Sequence, residues 1–177
     1  MPGRFVLDGL RMTRPQSPSS RTYTPAERRL LGEWLAQYHA EDVVVTHAYL
    51  GPLNSPLLNT SLTPQEINML GLRRRWADAV ILYDDHVEIV EAKVVSDPFV
   101  IAQIELYLSL FNQTIEFKNY WGKPLTGIIV AAVLDPSISA LIRSKGLKEI
   151  TYKPAWVDEY LSGKAQRKQK SLGVPIP

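Results

Sequence analysis

Two apolar, β-branched runs, Ala77–Tyr83 and His86–Val95, flank the short polar break Asp84-Asp85, and this pattern constrains the chain more than any other feature. It predicts a β-hairpin. Charges interrupt the pattern in unusual places. Asp78 lies near the start of the first run, while Glu91 and Lys93 lie inside the second, two residues apart. Strand side chains alternate faces, so Glu91 and Lys93 project from the same face. Ile89, Val90, Val94 and Val95 flank them and draw that part of the strand into the interior. A carboxylate buried there costs several kcal/mol unless it is paired or holds a metal. The spacing alone admits two readings: a structural Glu91–Lys93 ion pair on a strand with one wet face, or a site.

Composition narrows the choice of chemistry. The 177 residues suffice for one domain with a real core, and 45% hydrophobic content fits a globular protein. No apolar run approaches the length of a membrane span, and MPGRFVLDGLRMTR lacks an h-region and cleavage site, so the cytoplasm is the expected compartment. Cysteine is absent, which excludes disulfides, thiolate zinc sites, iron–sulfur clusters and cysteine nucleophiles. A net charge of +2 does not by itself announce a nucleic-acid partner. The basic residues are uneven, however: Arg73, Arg74 and Arg75 precede the hairpin, and Lys164, Arg167, Lys168 and Lys170 load the C-terminal end.

Along the chain, residues 1–23 read as a flexible N-terminal arm. Thr24-Pro25-Ala26-Glu27 is a capping box that starts a helix running to about Ala40, with Leu30, Leu31, Trp34, Leu35 and Tyr38 on one stripe. Val43–Leu50 is a strand, and Thr63-Pro64-Gln65-Glu66 begins a short helix ending near Gly71. After the hairpin, Asp97-Pro98 caps a helix to about Phe111 whose apolar stripe is Ile101, Ile104, Leu108 and Phe111. Thr126–Leu134 reads as a buried strand, Asp135-Pro136-Ser137 opens a helix ending around Lys145-Gly146, and Lys148–Tyr152 is a last strand. A short helical piece, Ala155–Leu161, leads to a basic, mobile tail, 162–177. The fold class is α/β, a mixed central sheet flanked by helices, formed by a single domain over 24–161.

Partners on the two hairpin strands lie ~5 Å apart, so Asp78, Glu91 and Lys93 can meet. Two carboxylates at that range repel, and a hard divalent cation relieves the repulsion; Mg²⁺ takes one or two carboxylates together with substrate phosphate. The Ala92 carbonyl would point toward the same place. Lys93 would then orient an attacking water or stabilise developing charge, a working design for phosphodiester hydrolysis.

Asp78, twelve intervening residues and then Glu91-Ala92-Lys93 on adjacent strands resembles the PD-(D/E)XK nuclease superfamily, with Ala77 where the name has proline. The helix–strand–strand–strand–helix–strand order resembles that family's restriction-endonuclease-like αβββαβ core. Gln103 and Tyr107, four residues apart on one helical face, are similar to the QxxxY signature of its RecB-type and λ-exonuclease-type branches. The resemblance covers roughly Pro25 to Leu134. It implies a Mg²⁺- or Mn²⁺-dependent nuclease acting on DNA, hydrolysing phosphodiester bonds to leave a 5′-phosphate without a covalent intermediate. Asp78 and Glu91 would bind the metal, Lys93 would position the water, and Gln103 and Tyr107 would support the site.

The family adds an acidic residue from the first helix, for which Glu27 is the candidate, with Glu33 and Glu66 in reserve; as plain structure, Glu27 is the capping-box glutamate. Arg73, Arg74, Arg75, Lys118 and Lys123 are the candidate DNA contacts, against the usual meaning of a charge run as a solvated face. Tyr120 and Trp121 stack on bases or simply pack. His47 faces the site or is structural, and Asp84 and Asp85 are turn residues. Sequence-specific recognition looks poorly provided for, which suggests structure-selective cutting or a protein partner that targets the enzyme. The rival is a catalytically inactive nuclease-like module that binds DNA or joins an assembly, such as a phage or mobile-element particle.

Overall fold

A computed structural model describes residues 24–52 and 75–171, the stretch 167–171 by backbone alone. The arm 1–23, the short helix expected from Thr63, and Glu66, Arg73 and Arg74 lie outside the described residues. In chain order the elements are α1 (Pro25–Tyr38), β1 (Val43–Leu50), β2 (Arg75–Leu82), β3 (Val87–Val95), α2 (Phe99–Phe111), a 3₁₀ helix (Ile115–Tyr120), β4 (Leu125–Val133), α3 (Pro136–Ser144), β5 (Lys148–Thr151) and α4 (Trp156–Ser171).

Local chemistry sets most of the boundaries. The Thr24 hydroxyl accepts from the Glu27 N–H at 3.2 Å and the Glu27 carboxylate accepts from the Thr24 N–H at 3.1 Å, the reciprocal capping box that the sequence announced. Asp97 accepts from the Phe99 N–H at 2.8 Å and Asp135 from the Ser137 N–H at 2.9 Å, so an aspartate opens both α2 and α3. Asp84 and Asp85 sit exposed in the hairpin turn, closed by the Tyr83 N–H donating to the His86 carbonyl at 3.0 Å.

The sheet runs β1-β2-β3-β4-β5, antiparallel from β1 to β3 and parallel from β3 to β5. This is the mixed α/β sheet expected, in the order αβββαβ. The central strand β3 is buried from Val87 to Val94, because helices cover both of its faces. On one face α1 packs Leu31 and Trp34 against Ala79, Ile81, Val90 and Ala92. On the other, Ile101, Ile104 and Phe111 of α2 pack on Val80, Ile89 and Ile129. Gly127 of β4 sets how closely α2 approaches: a Cβ there would fall 2.3 Å from Ile104 Cγ2.

One boundary differs from the sequence reading. The last helix continues from Leu161 to Ser171, through a stretch read as tail. That stretch has no apolar periodicity to signal a helix. Lys, Arg, Gln and Ala are nonetheless good helix formers, and they extend a helix already nucleated by the buried Val157. Among the described residues no helix is long and apolar enough to cross a membrane.

Candidate active site

The site forms where β2 loses its ladder on both sides. Pairing with β3 runs from Leu82↔Val87 to Ala79↔Val90 and stops, and pairing with β1 lapses between Thr46↔Ala79 and Ala48↔Ala77. Asp78 falls in that gap. Its carboxylate takes over part of the missing ladder, accepting from the Ala92 N–H at 2.8 Å. β3 meanwhile stays paired to β4 through Glu91, Ala92 and Lys93, so the gap is a notch in the β2 ladder beside a strand held on its other edge.

Glu91 and Lys93 share a face, as their spacing requires: Lys93 Nζ donates to Glu91 Oε1 at 2.5 Å. Gln103 of α2 donates to the same oxygen at 3.2 Å, and its Nε2 also lies 3.3 Å from the Tyr107 hydroxyl. Tyr107 sits in the core beside Ile104 with its hydroxyl at the site, more deeply packed than its place off the apolar stripe suggested. Glu91 is 2% exposed, and its second oxygen, Oε2, is buried with no hydrogen-bond partner. An unsatisfied carboxylate oxygen in the interior is costly and calls for an explanation.

The charges do not balance. Burial, and then the Glu91 carboxylate, push the Asp78 carboxyl up to about 8, although the Ala92 N–H and Lys93 favour its ionised form. Burial likewise raises Glu91 above the usual carboxylate range, against the pull of Lys93 and Gln103. Burial works to lower Lys93, but the Glu91 carboxylate, with Asp78 and Glu27 behind it, holds its ammonium above the ordinary lysine value. One buried cation thus faces two buried carboxyls. The charge of Glu27 reaches all three of these groups, raising the two carboxyls and Lys93 alike. Glu27 Oε2 is engaged by the Thr24 hydroxyl at 2.9 Å, so the capping glutamate is also the acidic neighbour of the notch. Among the described residues no three His, Asp or Glu side chains converge tightly enough to hold a metal by themselves.

The remaining candidates separate. Glu33 accepts from Arg29 at 2.7 Å and from Trp156 Nε1 at 2.8 Å, so it fastens α4 to α1. Arg75 begins β2 on the rim, exposed, and its charge is felt at Tyr107. Lys123 lies at the hairpin's other end, donating to the Asp84 carbonyl at 2.7 Å with its Nζ 4.5 Å over the Tyr120 ring. Its partners sit four or more residues from Glu91, roughly 13 Å along the strand. Lys118 is exposed in the 3₁₀ helix, and Trp121 Nε1 donates to the Thr114 carbonyl at 3.0 Å. His39 bonds Asp42 at 2.8 Å, and His86 bonds Asp85 at 2.6 Å. His47 is exposed, with its ring edge-on to Trp76. Trp76 and Tyr49, absent from the candidates above, are brought face to face by the β1–β2 register; an aromatic on each of two neighbouring strands is the sequence signal for such a pair.

The chain matches no family model and no curated protein. Two solved structures are similar to it. One, a repair endonuclease from Pyrococcus abyssi, has 14% sequence identity and a TM-score of 0.39, over 77% of this chain and 50% of that one. The other, a structure of an EndoMS–dsDNA complex, has 16% identity and a TM-score of 0.41, over 80% of this chain and 49% of that one. The chain spans about half the length of each.

Proposed function

We propose that the chain is a divalent-metal-dependent DNA nuclease of the PD-(D/E)XK type. The observation that carries this reading is the buried, partnerless Glu91 Oε2 beside an Asp78 carboxyl held near pH 8, two acids with one lysine between them. A site built only for structure gains nothing from that imbalance, whereas a hard cation accepted by Asp78 and Glu91 would satisfy both. When bound there, Mg²⁺ or Mn²⁺ supplies Lewis acidity toward a phosphodiester and offsets its developing charge.

The chain's own residues supply the rest. Lys93 keeps its proton at neutral pH, because its raised pKa leaves it cationic. It therefore orients the attacking water and balances charge as a donor rather than acting as a base. Gln103 pins Glu91 Oε1, which fixes where Oε2 points, and Tyr107 lies within reach of Gln103 in turn. Arg75 stands on the rim where a flanking phosphate would pass.

Linear, circular and single-stranded DNA incubated with Mg²⁺ or Mn²⁺ test the reading directly. Cleavage is expected for the wild type and not for Lys93→Ala. Equal cleavage by the two proteins would remove Lys93 from the mechanism, and no cleavage together with no heat of metal binding would leave the inactive-module alternative in possession.

A further inference from the structure

An exposed aromatic group lies beside the notch, and no part of the mechanism above uses it. Trp76 precedes Asp78 by two residues on β2, about 7 Å along the strand. It is 47% exposed. Tyr49 stands opposite on β1, with ring centroids 3.4 Å apart and planes inclined by 39°. The His47 ring meets the indole edge-on, 6.4 Å away at 81°.

Burying an aromatic side chain is strongly favourable, so an indole left half in water forgoes that gain. The backbone is also strained at this place. His47 has φ 52°, the one positive φ among the described non-glycine residues, where the β1–β2 pairing lapses across from Asp78. Such strain persists where the surroundings enforce it, and it gathers at functional sites. Arg75, the neighbouring residue, is exposed on the same rim.

We propose, on the premise of the nuclease reading, that Trp76 is a stacking platform for an unpaired base of single-stranded DNA entering the notch, with Tyr49 behind it and His47 at its edge. Arg75 meets the phosphate backbone of that strand. The occupant is an unpaired base because a base within a duplex already has both faces stacked, whereas any single-stranded base can offer one to the indole. Substrates with single-stranded ends, gaps or flaps are then favoured over intact duplex.

The test uses the full chain in EDTA, so that binding is read without cleavage, with fluorescein-labelled oligo(dT) and a blunt hairpin duplex as probes. Trp76→Ala should weaken oligo(dT) binding roughly tenfold to a hundredfold, with a smaller loss for the duplex. Oligo(dT) should quench indole emission in the wild type, and Trp76→Phe should bind it without that quench. If Trp76→Ala fails to fold, the quenching comparison decides. Unchanged oligo(dT) affinity in Trp76→Ala, an equal loss for both probes, or quenching that persists in Trp76→Phe overturns the platform. So does a Trp76→Ala variant that loses only self-association. A protein that binds oligo(dT) through Trp76 yet cuts nothing with Mg²⁺ defeats the nuclease reading alone. One that cuts but shows no effect of Trp76 defeats the platform alone.

Discussion

Strand β3 carries two buried glutamates three residues apart, and the chain treats them differently. Glu88, at the hairpin end, accepts from Lys148 Nζ at 3.0 Å, with His86 Nε2 at 3.9 Å. Lys148 reaches in from β5 with a side chain that is 57% exposed, so one carboxylate is met by a cation that keeps much of its hydration. Glu91 shares its lysine with a second acid, Asp78, and one of its oxygens is left without a partner. Both are glutamate–lysine pairs by inspection. The first closes its own electrostatics, and the second sets two buried carboxyls against one lysine, with the Asp78 carboxyl pushed up to about 8. Carboxylate–lysine pairing on a strand is therefore uninformative until every oxygen has been accounted for.

Removing each glutamate in turn and measuring cleavage separates the two pairs most strongly. Glu91→Ala should lower DNA cleavage about a thousandfold or more, while Glu88→Ala changes it by less than about threefold. Equal losses would mean that both glutamates are structural. Metal binding gives the next effect: calorimetric titration with Mn²⁺ should show heat in the wild type and in Lys148→Ala, and none in Asp78→Ala.

Acidity sharpens the contrast further. Well below pH 3.8 the Asp78 carboxyl is protonated both folded and unfolded. Between its ordinary value of 3.8 and its folded value of about 8, the folded state holds a proton that the unfolded state has released. The metal-free protein should therefore lose stability as pH rises across that window, by at most about 1.4 kcal/mol per pH unit from this group. Asp78→Asn should flatten the slope and raise Tm at pH 8 in EDTA; a slope unchanged by the substitution would place the cause elsewhere. The smallest effect belongs to the balanced pair. Lys148→Ala should cost less than about 1 kcal/mol in urea unfolding, because a partly exposed ion pair contributes little.

The hairpin was fully legible in the sequence, because alternation is a property of neighbouring residues and needs no knowledge of the rest of the fold. The same locality made the Thr24–Glu27 capping box readable. It failed for Tyr107, whose place off the apolar stripe did not reveal that its ring joins the core while its hydroxyl faces the site. Lys123 read as a candidate phosphate contact from charge alone, and tertiary packing turned it onto the Asp84 carbonyl. Helix α4 outran its signal because a polar stretch of good helix formers leaves no periodic trace.

Spacing by itself determined that Glu91 and Lys93 share a face, since two residues of strand always return a side chain to the same side, and the hairpin pattern put Asp78 on the neighbouring strand. Only the assembled sheet decided that β2 drops its ladder at Asp78, that Glu91 keeps an unmet oxygen, and that the charge of Glu27 reaches the notch. Those outcomes depend on which backbone groups other strands and helices leave unpaired, and solvent exclusion by both layers then sets how strongly the enclosed charges act on one another.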